Sequence, residues 1–321
     1  MERDVHLALD PIRLGLSVPQ ALWQLLRRRP AAIFTTGGYV AIPVLIAARL
    51  LSIPSLLWEG NVVPGRSVRA TARLASAIAV SFAETCRALP AGTRCFVTGT
   101  PIRDVLAIDR VAAREQLRIA PNDRLVVVFG GSQATRTLND AVAGAMPELA
   151  MRAVVLHVTG DDDGAAKRLQ RTLPPELAQR YRPVGFLGDD LLEALAAADL
   201  VVGRAGSSTL AEVTAFGLPM VVVPYPHAGA HQRKNAVELA EAGAARLVEN
   251  EAFDGPALLA ALDIVEAPQQ HLAMSAAARA MGKPGSADAV ADLLLSLAER
   301  RSLPDPAAVA KIAAGPMRAA A

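Results

Sequence analysis

Val126-Val127-Val128-Phe129-Gly130-Gly131-Ser132-Gln133 is an apolar strand that runs into two glycines, a hydroxyl and an amide, with a helical stretch, Leu138–Met146, behind it. The same grammar returns in Leu200-Val201-Val202-Gly203-Arg204-Ala205-Gly206-Ser207-Ser208-Thr209-Leu210-Ala211-Glu212. Glycines let a ligand approach the backbone closely, and the free N–H groups of a helix's first turn favour an anion. Neither turn is a G-x-x-x-x-G-K-[ST] phosphate loop, since no Lys follows. Glu212 lies one helical turn beyond Ser208, poorly placed for a phosphate and well placed for the two hydroxyls of a ribose. Each turn also has a plainer reading: a tight bend at a sheet edge for the first, and helix-capping and first-turn dipole residues for Ser208 and Glu212. Two such turns in one sheet favour a nucleotide.

Outward from these turns, short β-branched runs alternate with Ala- and Leu-rich helical stretches, the signature of parallel sheets covered by helices. In the second lobe strands are expected near Leu125–Phe129, Ala153–Val158, Tyr181–Phe186, Leu200–Val202, Pro219–Val223 and Ala245–Leu247. In the first they are expected near Ala31–Thr35, Ser55–Trp58, Ala77–Ser81 and Cys95–Val97. The chain therefore divides into residues 1–103, residues 104–300 and a tail helix in 301–321. A four-strand parallel sheet buries both faces, so the first lobe needs further apolar cover; the final helices, Ser286–Arg300 and Pro306–Ala320, are candidates to cross back to it.

With 321 residues, 52% hydrophobic and 20% charged, the chain buries a large core and is not intrinsically disordered over most of its length. Two cysteines, Cys86 and Cys95, are too few for a disulfide framework or a Cys-based metal site and suit a reducing compartment. Net charge is +2, unevenly spread: residues 1–103 hold 12 Lys/Arg against 5 Asp/Glu, and the remainder 21 against 26. The basic first lobe points to an anionic partner. There is no recognition-helix pattern and no aromatic-rich basic sheet, so nucleic acid fits less well than a phosphorylated lipid or membrane surface. The start of the chain has no secretory-signal pattern, and Pro43, Pro54 and Arg49 argue against a membrane span in Tyr39–Trp58.

Several further stretches carry polar chemistry. Val223 through Asn235 follows a strand and leads into a helix; His227, His231 and Gln232 suit a sugar pocket, with a surface loop as the alternative and metal disfavoured for want of a third ligand. Thr35-Thr36-Gly37-Gly38-Tyr39 is a third possible anion cradle, and Trp58-Glu59-Gly60-Asn61 ends the next strand. Arg103, in Thr98-Gly99-Thr100-Pro101-Ile102-Arg103, suits a base, a phosphate or an inter-lobe ion pair. Leu14–Arg29 sets Trp23 and five leucines beside Arg27, Arg28 and Arg29, which fits either an interfacial membrane contact or a core-facing helix with a basic end.

Gly37-Gly38-Tyr39, Glu59 with Asn61, Gly99 with Pro101 and Arg103, Gly130 through Gln133, Gly206 through Glu212, Gly217-Leu218-Pro219 and His227 through Asn235 occur in an order and spacing that resembles the MurG family of glycosyltransferases. The resemblance implies an α/β protein of two Rossmann-like domains, GT-B type. It implies an inverting transferase without a metal or other cofactor, moving N-acetylglucosamine from UDP-N-acetylglucosamine to the C4 hydroxyl of undecaprenyl-diphosphate-linked N-acetylmuramoyl pentapeptide. By position, Ser132 and the Ser207, Ser208, Thr209 turn hold the diphosphate, Gln133 is a further contact to UDP-N-acetylglucosamine, and Leu187 meets the uracil through its backbone. Glu212 takes the ribose hydroxyls, Gln232 the GlcNAc hydroxyls, and Asn61 and Arg103 close on the donor from the first lobe and the hinge. The acceptor is expected at the cytoplasmic membrane face, met by the Leu14–Arg29 region.

Two departures accompany the resemblance. The family's initial strand and His-bearing Gly-rich loop have no match here, and its His-Glu-Gln-Asn reads Trp58-Glu59-Gly60-Asn61. The first domain is accordingly expected to be incomplete, and no catalytic residue is assigned. A non-catalytic UDP-sugar-binding homologue and a diacylglycerol glycosyltransferase are the alternative readings.

Overall fold

The computed structural model describes residues 16–131, 136–226 and 231–316. They form two compact units, residues 16–101 with 285–316 and residues 102–284, each built on a parallel sheet.

In the first unit β1 (Ile33–Thr35), β2 (Ser55–Glu59), β3 (Ala77–Val80) and β4 (Cys95–Val97) lie side by side in chain order, all parallel. Alternation along the strands supplies two apolar faces. Leu57, Ile78 and Val80 pack with Ala41, Leu45 and Val68 on one side. On the other, Leu56, Ala77, Ala79 and Phe96 meet Ala289, Val290, Leu293 and Val309. The latter four come from the helices Ser286–Ala298 and Pro306–Ala314, so the C-terminal segment covers the face that a half-sized parallel sheet would leave wet. The apolar window Tyr39–Trp58 folds as the helix Ala41–Leu50 followed by β2, and among the described residues no helix is long and apolar enough to cross a membrane. Cys86 and Cys95 are joined by a disulfide, their Cα atoms 5.8 Å apart. That bond departs from the reducing-compartment reading of the composition, which could not see that the β3–β4 connection folds the two together.

The second unit holds β5 (Leu125–Phe129), β6 (Val154–Val158), β7 (Tyr181–Val184), β8 (Leu200–Gly203), β9 (Met220–Val222) and β10 (Ala245–Leu247), all parallel, in the order β10-β9-β8-β5-β6-β7. Central β5 is buried throughout, as a strand covered on both faces must be. Pro183 sits in the edge strand β7, where a missing N–H breaks no outer ladder bond. Helices pack on the sheet through Leu138, Val142, Leu149, Leu258 and Ile264.

A polar cluster borders this core on β6 and β7. His157 on β6 is 1% exposed, with Nδ1 3.0 Å from the Tyr181 hydroxyl and Nε2 2.9 Å from Asn139 Oδ1. Asn139 Nδ2 donates to Thr159 O, at 3.0 Å, so its Oδ1 is the acceptor, Nε2 carries the imidazole proton and the Tyr181 hydroxyl donates to Nδ1. Burial lowers the His157 pKa to about 4 and raises that of Tyr181 to about 12.

Candidate functional site

The chain steps from β5 to β6 to β7 along one half of the second sheet, then returns to lay β8 on the other side of β5. The direction of winding reverses between β5 and β8, and the crevice outside the carboxyl ends of strands at such a point is where open α/β sheets bind ligands. Both glycine turns leave the sheet there, because Phe129 at the end of β5 is paired in register with Gly203 at the end of β8. Gly203 is required by that approach: a Cβ on it would stand 2.8 Å from Phe129 O. Gly131 has φ +72°, the left-handed region glycine tolerates best. Ser132 and Gln133, which follow it, lie outside the described residues, as does His227.

After β8 the helix Ser207–Phe216 begins, with Gly206 as N-cap and no side-chain cap. Its first backbone bond is Leu210 N–H to Gly206 O, so the N–H groups of Ser207, Ser208 and Thr209 stand ahead of the intrahelical ladder. The capping alternative is thereby corrected: Ser208 lies inside the first turn instead of capping it, and no acidic residue occupies that turn. Three amides ahead of the ladder and the positive end of the helix dipole, on a turn built of three hydroxyl residues, are a combination suited to an anion.

Beside it a cavity of about 350 Å³ is lined by Arg103, Phe129, Gly131, Val158, Phe186, Leu187, Gly188, Asp189 and Leu191. Glu212 is buried, and its Oε1 accepts from Arg103 Nη2 at 3.2 Å. Arg103 Nη1 donates to Asp189 Oδ1 at 3.1 Å and Gly188 O at 3.4 Å. One guanidinium therefore ties the predicted ribose acceptor to the loop carrying Leu187, the predicted uracil contact. Phe186 is missed by the sequence reading, which places it within β7; the strand ends at Val184 and the ring is 80% exposed beside the cavity. An aromatic just past a strand's carboxyl end was the signal.

Gln232 is used differently from the sequence expectation. Its Oε1 accepts from Ala205 N at 3.2 Å and Tyr225 N at 3.0 Å, bracing the β8 turn against the end of β9. Only its Nε2 remains to meet a sugar, and only as a donor. Asn235, fully buried, donates from Nδ2 to Ala205 O at 3.2 Å. Asn61 lies in the first unit, where Glu59 Oε1 accepts from its N at 2.9 Å and its Nδ2 at 3.0 Å, while Glu59 Oε2 accepts from Gly65 N at 2.8 Å. Glu59, 6% exposed, thus shapes the loop that presents Asn61. Arg103, Leu187, Ser207–Thr209, Glu212 and Gln232 all belong to the second unit, where the first two and Glu212 are brought into one cluster.

Residues 125–291 match the glycosyltransferase family 28 C-terminal domain and residues 4–80 its N-terminal domain. A relative from Moorella thermoacetica (strain ATCC 39073 / JCM 9320), named UDP-N-acetylglucosamine--N-acetylmuramyl-(pentapeptide) pyrophosphoryl-undecaprenol N-acetylglucosamine transferase, is 38% identical over 90% of this chain and 80% of its own length. One of the same name from Roseiflexus sp. (strain RS-1) is 36% identical over 86% of this chain and 71% of its own. The crystal structure of Acinetobacter baumannii MurG is 27% identical with TM-score 0.72, over 89% of this chain and 80% of that one. Phytolacca americana UGT2, complexed with UDP-2fluoro-glucose and pterostilbene, has TM-score 0.61 at 17% identity over 88% of this chain and 79% of that one, a likeness of fold alone. With its two parallel sheets of 4 and 6 strands, both domain matches and these identities, the chain belongs to the MurG family of glycosyltransferases.

Proposed function

We propose that this chain transfers N-acetylglucosamine from UDP-N-acetylglucosamine to the C4 hydroxyl of lipid-diphosphate-linked N-acetylmuramoyl pentapeptide, converting lipid I to lipid II. The observation that carries the donor side is the uncapped Ser207–Thr209 turn at the β5/β8 reversal, with buried Glu212 on the same helix. In this reading Ser132 and Ser207–Thr209 hold the diphosphate, Leu187 the uracil, Glu212 the ribose and Gln232 the sugar, with Gln133, Arg103 and Asn61 completing the donor contacts. The acceptor oxygen bonds to the anomeric carbon as that carbon's bond to the diphosphate oxygen breaks. UDP departs with the electron pair, the hydroxyl releases its proton and the anomeric configuration inverts. Amides fixed before reaction at the leaving diphosphate offset its growing charge. Product from UDP-GlcNAc and a lipid I analogue supports the reading. Product with diacylglycerol instead would favour the lipid-glycosylating alternative, and UDP binding without any product a binding protein.

Gln232 permits a clean separation of roles. Gln232→Glu keeps an oxygen for the Ala205 and Tyr225 N–H groups but deletes the donor. It is expected to raise KM for UDP-GlcNAc about tenfold while UDP affinity stays within about twofold. Gln232→Ala, which also removes the brace, is expected to weaken both. Initial rates and calorimetry check this.

For the first unit we propose peripheral contact with the cytoplasmic face of the membrane. The helix over 16–28 exposes Leu16, Trp23 and Leu26, and Arg27 lies 5.4 Å from the Trp23 ring centroid. Apolar side chains beside arginines suit anionic lipid. Trp23→Ser with Leu26→Ser is expected to lower binding to phosphatidylglycerol vesicles about tenfold or more, read by co-sedimentation. Unchanged binding would place the contact elsewhere.

A further inference from the structure

We propose that Arg204 is a positioning residue for the diphosphate turn, an inference that rests on the donor-site reading above. Arg204 follows β8 and is only 4% exposed. A guanidinium is costly to remove from water, so its placement needs compensating contacts. Nη1 donates to Val223 O at 3.1 Å and to Asn250 Oδ1 at 2.8 Å, and the guanidinium carbon lies 5.6 Å from the Tyr225 ring centroid. Val223 and Tyr225 follow β9, and Asn250 follows β10. One side chain thus spans the carboxyl ends of three adjacent strands.

Its neighbour Ala205 is held at the same time by backbone bonds, its N–H to Gln232 Oε1 and its O from Asn235 Nδ2. The next residues are Gly206 and then the three free amides of Ser207–Thr209. Glycine cannot set their direction by itself. Fixing Arg204 and Ala205 does, so the ordering cost of the turn is met during folding instead of at binding. Burial lowers the Arg204 pKa from its usual value, in keeping with a guanidinium placed for geometry at some electrostatic cost. Glu212, further along the same helix, and the loop carrying Leu187 have a separate tie in Arg103. Loss of Arg204 should therefore fall on the diphosphate and spare the nucleoside.

The test compares UDP, by calorimetry, with uridine, by NMR titration, on the full chain and on Arg204→Met and Arg204→Lys, with thermal midpoints measured in parallel. UDP affinity is expected to fall about tenfold or more in Arg204→Met while uridine affinity changes less than about threefold; Arg204→Lys, which keeps a cationic donor but not the planar fork, should lie between. KM for UDP-GlcNAc should rise with the loss of UDP affinity. Should Arg204→Met not fold, Asn250→Ala removes the acceptor at 2.8 Å and should show the same UDP-selective pattern at about threefold. Equal losses for UDP and uridine, or unchanged UDP affinity, would overturn the proposal and leave the donor site standing. A wild-type chain that binds neither would remove both.

Discussion

Glu212→Ala is expected to weaken UDP binding by about 1–3 kcal/mol, the penalty for leaving buried polar partners unmatched. The carboxylate is buried on the helix Ser207–Phe216, with one oxygen engaged by Arg103 at 3.2 Å. Its second oxygen stays available to a ribose, and the ion pair fixes where it points. Removing the carboxylate breaks a pair in which Glu212 is buried and Arg103 is 40% exposed. Arg103 keeps Asp189 and Gly188 O and its access to water, so its charge is not stranded and the loss of stability is modest. The thermal midpoint should therefore fall only modestly while affinity drops. Glu212→Gln keeps one amide oxygen and should lose less than Glu212→Ala. An unchanged UDP affinity, measured by calorimetry, would remove the ribose role.

Acid should destabilise the second unit through His157. Its folded pKa is about 4 against an ordinary 6.5, so the unfolded chain binds the extra proton between those values. The stability from the neutral imidazole is complete above about pH 6.5 and is lost as pH falls toward 4. Between pH 7.5 and 4.5 this group alone should remove on the order of 2–3 kcal/mol. His157→Gln, which cannot titrate, should flatten the fall in unfolding free energy over that range by about that amount, measured by urea denaturation. Equal slopes for the two proteins would show that His157 charges freely in the folded state. Because Asn139, a partner of His157, lies on the helix that follows the β5 turn, the same titration should loosen the approach to the nucleotide.

The ten strands among the described residues could be read from the sequence because alternation and β-branched runs are local properties. The ends moved by a residue or two where the chain turns, as at Phe186. Strand order is not local. Nothing near Phe129 or Gly203 states that they are partners, yet that pairing creates the crevice. That both glycine turns follow strands was readable, because glycine and hydroxyl residues after a β-branched run end a strand; that Glu212 is buried beside Arg103 needed the fold. Arg204 and the bracing role of Gln232 were hidden, since both depend on β8, β9 and β10 lying side by side. The cover supplied by Val290, Leu293 and Val309 to the first sheet was hinted at only by that sheet's want of apolar partners.

A crystal structure of this chain with UDP tests the central claim most directly. The diphosphate should lie within hydrogen-bonding distance of the Ser207, Ser208 and Thr209 amides, with the ribose hydroxyls on Glu212 and the uracil against Leu187. Electron density for UDP at any other place, or an empty β5/β8 crevice at saturating UDP, would contradict it.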